Sequence, residues 1–318
     1  MSKQTQGNYV PHSRSRRLLG PLFAIACVLA TLTGVVVLAI LLGSVLTTGL
    51  GHRPGRPWYH LPQNLWDLGQ LMVSLVSKTP GESAQTTGFR VGVISSLWLL
   101  GLITLFAVPV GLGAAIYLEE YARPGRINTI IQTNIANLAG VPSIVYGILG
   151  LTLFVRGFGF KSFALGYSIW AGALTLSLLV LPVIIIAAQE AIRAVPITLR
   201  QAALALGATK WQTVRDHVLP AALPGIMTGI ILSLSRAIGE TAPVLMVTQA
   251  SSLLNPPRGP SDQYVPLPLE IYNYAKYPDP ADQTLAAGGI LLLLVLLISM
   301  NAVAIVIRNR SGRLHRNI

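Results

Sequence analysis

Residues 284–307 read TLAAGGILLLLVLLISMNAVAIVI, from Thr284 to Ile307, without a single charged side chain. A helix needs about 20 apolar residues to cross the ~30 Å hydrocarbon core of a bilayer. This stretch has that length and composition, and working outward from it, five more of the same kind come into view: Leu18–Leu46, Val91–Leu118, Ile127–Val155, Ser168–Ala188 and Ala221–Val247. Only 11% of the 318 residues are charged, where a soluble domain carries about 25%, and the mean hydropathy is +0.61. An ordinary water-soluble enzyme and a disordered chain are both excluded. The expectation is an all-α integral membrane protein, one bundle of six transmembrane helices. Cys27, the sole cysteine, excludes an internal disulfide, and the scattered histidines at 12, 52, 60, 217 and 315 give no metal-ligand spacing.

The first span follows Arg14, Arg16 and Arg17, so a secretory signal is the competing reading. An apolar run from 18 to 46 is too long for the h-region of about 7–15 residues, and no small-residue cleavage site ends it. Ala24-Ile25-Ala26 before Cys27 lacks the leucine usual in a lipoprotein anchor. A retained span is expected.

Basic residues orient the bundle. The N-terminus, the loop near Arg123, the long loop 189–220 and the tail from Arg308 hold 14 of the 23 Lys and Arg. The segments 47–88, 156–167 and 248–283 hold seven, although together they are longer. Both termini are therefore expected in the cytoplasm. The chain then divides into a tail 1–17, the first span 18–46, an external loop 47–88, a core 89–308 of five further spans and the long loop 189–220, and a tail 309–318. Within the external loop, Leu65, Leu68, Leu71, Met72, Leu75 and Val76 repeat at helical spacing after Pro62 and Asn64. With Trp58, Tyr59 and Trp66 nearby, this reads either as an interfacial helix or as a short helix packed on the bundle. The Pro- and Tyr-rich stretch 255–280 reads as a loop.

Loop 189–220 is too polar to span and too patterned for a linker. Pro196 can open a helix, and Leu199 to Leu206 favour one strongly. Gly207 supplies the left-handed residue that ends it. Thr209 and Gln212 form a capping-box pattern that starts a second helix at Lys210. The product is a cytoplasmic hairpin of two short helices, with Ala202 and Ala203 as a small-residue surface that another protein could approach. A plain interfacial hairpin is the alternative. A phosphate-cradling G-x-x-x-x-G-K-[ST] loop is missing: Lys78-Thr79 and Lys161-Ser162 follow Ser77 and Phe160, not glycine.

Charge inside a span is costly, ~2.5–3.5 kcal/mol for Arg at the centre, and is a functional signal by default. The fifth span carries Arg236 and Glu240, four residues apart and on one helix face. Either they form a structural ion pair, or Arg236 offers its planar fork of donors to a passing oxyanion while Glu240 holds it. Gly239 and Pro243 make this stretch easy to kink. In the third span, Asn134, Asn137 and Ser143 can line a polar path or bond between helices. Arg90 and Arg156, at outer ends, suit snorkelling.

Gln201-Ala202-Ala203, Gly207 and Leu219-Pro220 resemble the coupling loop of bacterial ABC importer permeases, with Gln201 where that family has Glu. Three further strings are similar to phosphate-specific members: Arg236-Ala237-Ile238-Gly239-Glu240-Thr241, residues 138–147 (LAGVPSIVYG) and Tyr117-Leu118-Glu119-Glu120-Tyr121. Leu267 to Asn273 look like the PstA branch rather than its PstC partner. The resemblance runs from about Thr87 to Arg308. It implies a permease that makes no covalent chemistry and binds no cofactor or metal itself, ATP and magnesium being held by a partner. The implied partners are a second, PstC-like permease, two PstB-like ATP-binding subunits, an external PstS-like phosphate-binding protein and membrane lipid, with no nucleic acid. Arg236, Glu240, Asn134, Asn137 and Ser143 would lie along the substrate path. Gln201, Ala202, Ala203, Gly207, Leu219 and Pro220 would couple the ATPase. A permease for sulfate or molybdate, and an anion channel or transporter outside the ABC class, are the other readings. The hairpin argues against the second of these, because a stand-alone channel has no motor to engage.

Overall fold

A computed structural model describes residues 14–49, 73, 75–79, 87–249 and 253–314, and their side chains apart from 14–21, 161 and 310–314. The described residues form helices and no strand. In chain order they are α1 (Arg14–Gly49), α2 (Arg90–Ile116), α3 (Arg126–Ala139), α4 (Ser143–Gly150), α5 (Ile169–Arg193), α6 (Ile197–Ala205), α7 (Lys210–Thr213), α8 (Leu219–Gly239), α9 (Ala242–Val247), α10 (Leu267–Ala275) and α11 (Pro280–Leu314). Wide π turns extend α2 over Tyr117–Tyr121 and α4 over Leu151–Val155, and join α7 to α8 over Val214–Val218. The expected interfacial helix of 62–77 falls mostly outside the described residues.

Five helical stretches are long and apolar enough to cross a membrane: Leu22–Gly49, Arg90–Tyr121, Ile169–Arg193, Lys210–Gly239 and Pro280–Asn309. The predicted third span, Ile127–Val155, is not one straight helix. It breaks between α3 and α4 with a bend of 99°. At 1.5 Å per residue, each arm reaches only about 20 Å, short of the ~30 Å core. The cause is Gly140-Val141-Pro142. Proline has no N–H to continue the ladder and forces its predecessor out of the helical region. The predicted fifth span, Ala221–Val247, also divides: α8 stops at Gly239, Glu240 is extended (φ −76°, ψ 110°), and α9 resumes at Ala242.

The core forms around α5, whose apolar side chains Leu176, Val180, Ile184 and Ile192 are buried against α2 and α8. Between helices in lipid there is no hydrophobic drive, so close approach through small residues sets the packing. A methyl group at Gly229 would lie 2.5 Å from Ala187 Cβ, and one at Gly225 2.8 Å from Ala191 Cβ. This G-x-x-x-G face seats α8 on α5. Gly111 likewise seats α2 on Ile184. By contrast α1 keeps its apolar side chains on the outside and packs on α11, with Gly49 against Leu291.

The stretch 255–280, read as a loop, carries a helix. Pro266 leads into α10 and Pro268 occupies its first turn, where a missing N–H is harmless. Leu267, Leu269 and Ile271 are buried on the ends of α2 and α11. The segment before it closes the end of α5: Ile169 N–H donates to the Asp262 carbonyl (3.2 Å) and Trp170 N–H to that of Pro260 (3.0 Å). Glu270 is 2% exposed. Burial pushes its carboxyl up to about 8, against a hydrogen bond from the Gly92 backbone that pulls it down.

Candidate anion path and coupling hairpin

The Arg236 side chain leaves the last turn of α8, where the helix dipole favours a cation. Its Nε donates to Glu240 Oε1 at 3.2 Å. The guanidinium remains 62% exposed, the carboxylate 19%. Gripping the arginine through Nε leaves its two terminal nitrogens pointing away as a fork, the geometry that suits a planar or tetrahedral oxyanion.

Beside Arg236, Leu138, Val141, Ser143, Tyr146 and Ser233 help line a crevice of about 20 Å³. That is room for roughly one water, too little for a tetrahedral oxyanion. Ser143 comes from the first turn of α4, so the 99° break brings it to the crevice that Arg236 also lines. Asn134 and Asn137 do not line the crevice. Both lie exposed on α3, and Asn134 Nδ2 donates to the Ile130 carbonyl at 2.8 Å. Arg90 and Arg156 are exposed too. Polar ties hold α8 to α11: Arg308 Nη1 donates to Thr228 Oγ1 (2.9 Å), and the Ser235 hydroxyl meets the Asn301 amide oxygen.

The hairpin forms where the sequence places it. Gly207 turns α6 off at φ +88°, a region glycine enters without steric cost. Thr209 and Gln212 then cap each other: Gln212 N–H donates to Thr209 Oγ1 (3.3 Å), and Thr209 N–H to Gln212 Oε1 (2.8 Å). Gln201 and Ala202 face outward, whereas Ala203 turns into the hairpin's own packing. Ile197, Leu204 and Trp211 are exposed around the corner, and Leu206 at its tip is 90% exposed. Leu219 and Pro220 are half-buried where α8 begins. The second arm continues through its π turn into α8, so Lys210–Gly239 is one helical rod.

Sequence reasoning left out a set of contacts at the base of the hairpin. Glu119 takes a two-pronged bond from Arg193, Nε and Nη2 each at 3.0 Å. Glu120 Oε1 accepts from Arg200 Nε (3.0 Å) and Nη2 (2.9 Å). Lys210 lies over the Tyr121 ring, 5.1 Å from its centre. The acids were visible in the sequence; their partners, 74 and 80 residues away, were not.

A family model described as "Binding-protein-dependent transport system inner membrane component" matches residues 107–312. The chain belongs to that family. It is an inner-membrane transport subunit and not an enzyme. Among curated relatives, the permease is 35% identical to the phosphate transport system permease protein PstA 1 of Mycobacterium tuberculosis over 261 residues, 82% of this chain and 80% of that one. It is 32% identical to the phosphate transport system permease protein PstA of Haemophilus influenzae over 231 residues, 73% and 79% of the two chains. Among solved structures, a bacterial alginate ABC transporter with its periplasmic protein superposes at TM-score 0.60 and 16% identity, covering 94% of the permease and 96% of that chain. The inward-facing MetNI methionine ABC transporter superposes at 0.52 and 20% identity, covering 70% and 97%. These two neighbours establish the ABC permease fold.

Proposed function

We propose that the permease conducts inorganic phosphate into the cell, driven by ATP hydrolysed on separate subunits. The observation that carries this is Arg236: a guanidinium on an apolar span, held through Nε by Glu240 with its fork left open at the crevice that Ser143 lines. The names of the PstA relatives support phosphate as the anion. Arg236 receives the anion, Ser143 offers a hydroxyl, and Glu240 orients the arginine and repels the anion once the helices move. Asn134 and Asn137 would join the path only if α3 rotates or a second permease faces them.

Residues 196–219 serve as the docking element, with Leu206 and Trp211 as apolar anchors and Gln201, Ala202 and Gly207 on the approach. Leu219 and Pro220 pass the motion into α8. The hairpin, and with it both termini, then faces the cytoplasm. The partners are a second, PstC-like permease, two PstB-like subunits that bind ATP and magnesium, and an external PstS-like phosphate-binding protein.

The test is reconstitution of the whole complex in proteoliposomes, with uptake of phosphate, sulfate and molybdate compared. Uptake should favour phosphate and fall at least ~10-fold in Arg236→Ala while the subunits still co-purify. Equal uptake of the three anions, or wild-type uptake in Arg236→Ala, would contradict the assignment.

A further inference from the structure

We propose that the turn Glu119-Glu120-Tyr121 is the joint that carries movement of the docked hairpin into α2, with Glu120 and Arg200 as its principal positioning residues. This rests on the docking reading above and adds the route by which motion enters the bundle.

Three consecutive side chains on one π turn each hold a different part of the hairpin or of the helix that leads into it. Glu119 holds Arg193, the last residue of α5; Glu120 holds Arg200, in the middle of α6; Tyr121 receives Lys210, the first residue of α7. π turns inside longer helices recur at functional sites because one extra residue loosens the ladder locally. Here that looseness opens the helix end to the hairpin.

Arg200 is the decisive member. Helix α6 has nine residues, and only Ala203 is buried, so packing does little to fix it, and a helix this short does not hold itself. Arg200 fixes it instead. Besides Glu120, it donates through Nη1 to the Val195 carbonyl (2.7 Å) and through Nη2 to that of Ile192 (2.8 Å). One guanidinium thus ties α6 to the ends of both α5 and α2. The Glu120 and Arg200 side chains are 9% and 20% exposed, while Arg193 in the neighbouring pair is 54% exposed. A shielded charge pair is a poor source of net stability, but its fixed fork imposes direction. From the joint, α2 runs without interruption back to Arg90. Near that far end Ser96 Oγ accepts the Leu267 N–H of α10 (2.9 Å). Displacing the joint therefore moves a rod that reaches the opposite rim of the bundle.

The experiment compares Glu120→Gln, Arg200→Gln, the double variant and Glu119→Gln in the complete complex, reading phosphate imported per ATP hydrolysed. Co-purification of the ATP-binding subunits is measured alongside. The joint predicts that both single variants and the double lose about 10-fold or more in that ratio, with the double no worse than either single. ATP-binding subunits should remain at wild-type stoichiometry, and Glu119→Gln should lose less. An unchanged ratio overturns the proposal. So does a loss of ATPase association in parallel with transport, which would make the pair part of the docking surface. Failure of the wild-type chain to bind an ATP-binding subunit would instead defeat the docking reading itself.

Discussion

Tyr146 donates its phenolic hydrogen to the carbonyl oxygen of Leu138, 2.9 Å away, across the 99° break between α3 and α4. Leu138 is in the last turn of α3, and its carbonyl also accepts the Val141 N–H at 3.1 Å. The bond closes the corner from inside. Tyr146→Phe removes it and leaves that carbonyl with its backbone donor alone. We expect a loss of about 0.5–1.5 kcal/mol, seen as a lower unfolding midpoint in detergent, and reduced uptake, because Ser143 sits within the same corner.

Arg236→Lys separates charge from shape. Lysine keeps the positive charge but offers a point donor where arginine offers a fork. Uptake should fall several-fold in Arg236→Lys and further in Arg236→Ala. Equal uptake in the lysine variant and the wild type would mean that charge alone is used.

Gly229→Leu places a branched side chain where a single methyl already meets Ala187 Cβ at 2.5 Å. The helices must separate, and overpacking of this kind costs about 1–3 kcal/mol or more. Lower yield of folded protein by size-exclusion chromatography is the expected outcome. Gly34→Leu, at an open position on α1, is the control and should behave as wild type.

Gly207→Val tests the hairpin corner through its backbone. Open space surrounds this residue, so no clash intervenes. The penalty is the left-handed φ of +88°, about 1–2 kcal/mol for a residue with a Cβ. ATPase association should weaken in a pull-down, and Gly207→Asn, which tolerates that region better, should weaken it less.

Glu270 gives a pH dependence of stability. Its carboxyl is held at about 8 in the folded chain against an ordinary 4.5, so the folded state binds the extra proton across that interval. Stability from this group is complete below about 4.5 and is lost as pH rises through 8. The unfolding midpoint of the wild type should drop between about pH 4.5 and 8, whereas Glu270→Gln, which cannot ionise, should drop less. Parallel curves would show that the carboxyl is already charged.

The spans and the hairpin were legible because each rests on local chemistry: apolar runs of fixed length, a glycine that ends a helix, and a Thr209–Gln212 cap. Gly140 and Pro142 mark a weak point in the third span, but the size of the break was not legible, because the angle depends on how α3 and α4 meet α5. Arg236 and Glu240 could be paired by spacing alone, being one turn apart. That Ser143 lines the crevice beside Arg236 while Asn134 and Asn137 do not depends on the turn taken at Pro142. The Glu120–Arg200 pair and the seating of Gly225 and Gly229 on Ala191 and Ala187 need three-dimensional neighbours. The G-x-x-x-G spacing of those glycines was present in the sequence as an unused clue.

The acidic turn has a consequence for how the chain can vary. Its three grips depend on phase along the helix as much as on side-chain chemistry. One residue inserted or deleted just ahead of Glu119 would rotate the set by about 100° and swing all three grips away from the hairpin together. The count of residues between Ala115 and Glu119 is thus constrained more tightly than the identities of those residues.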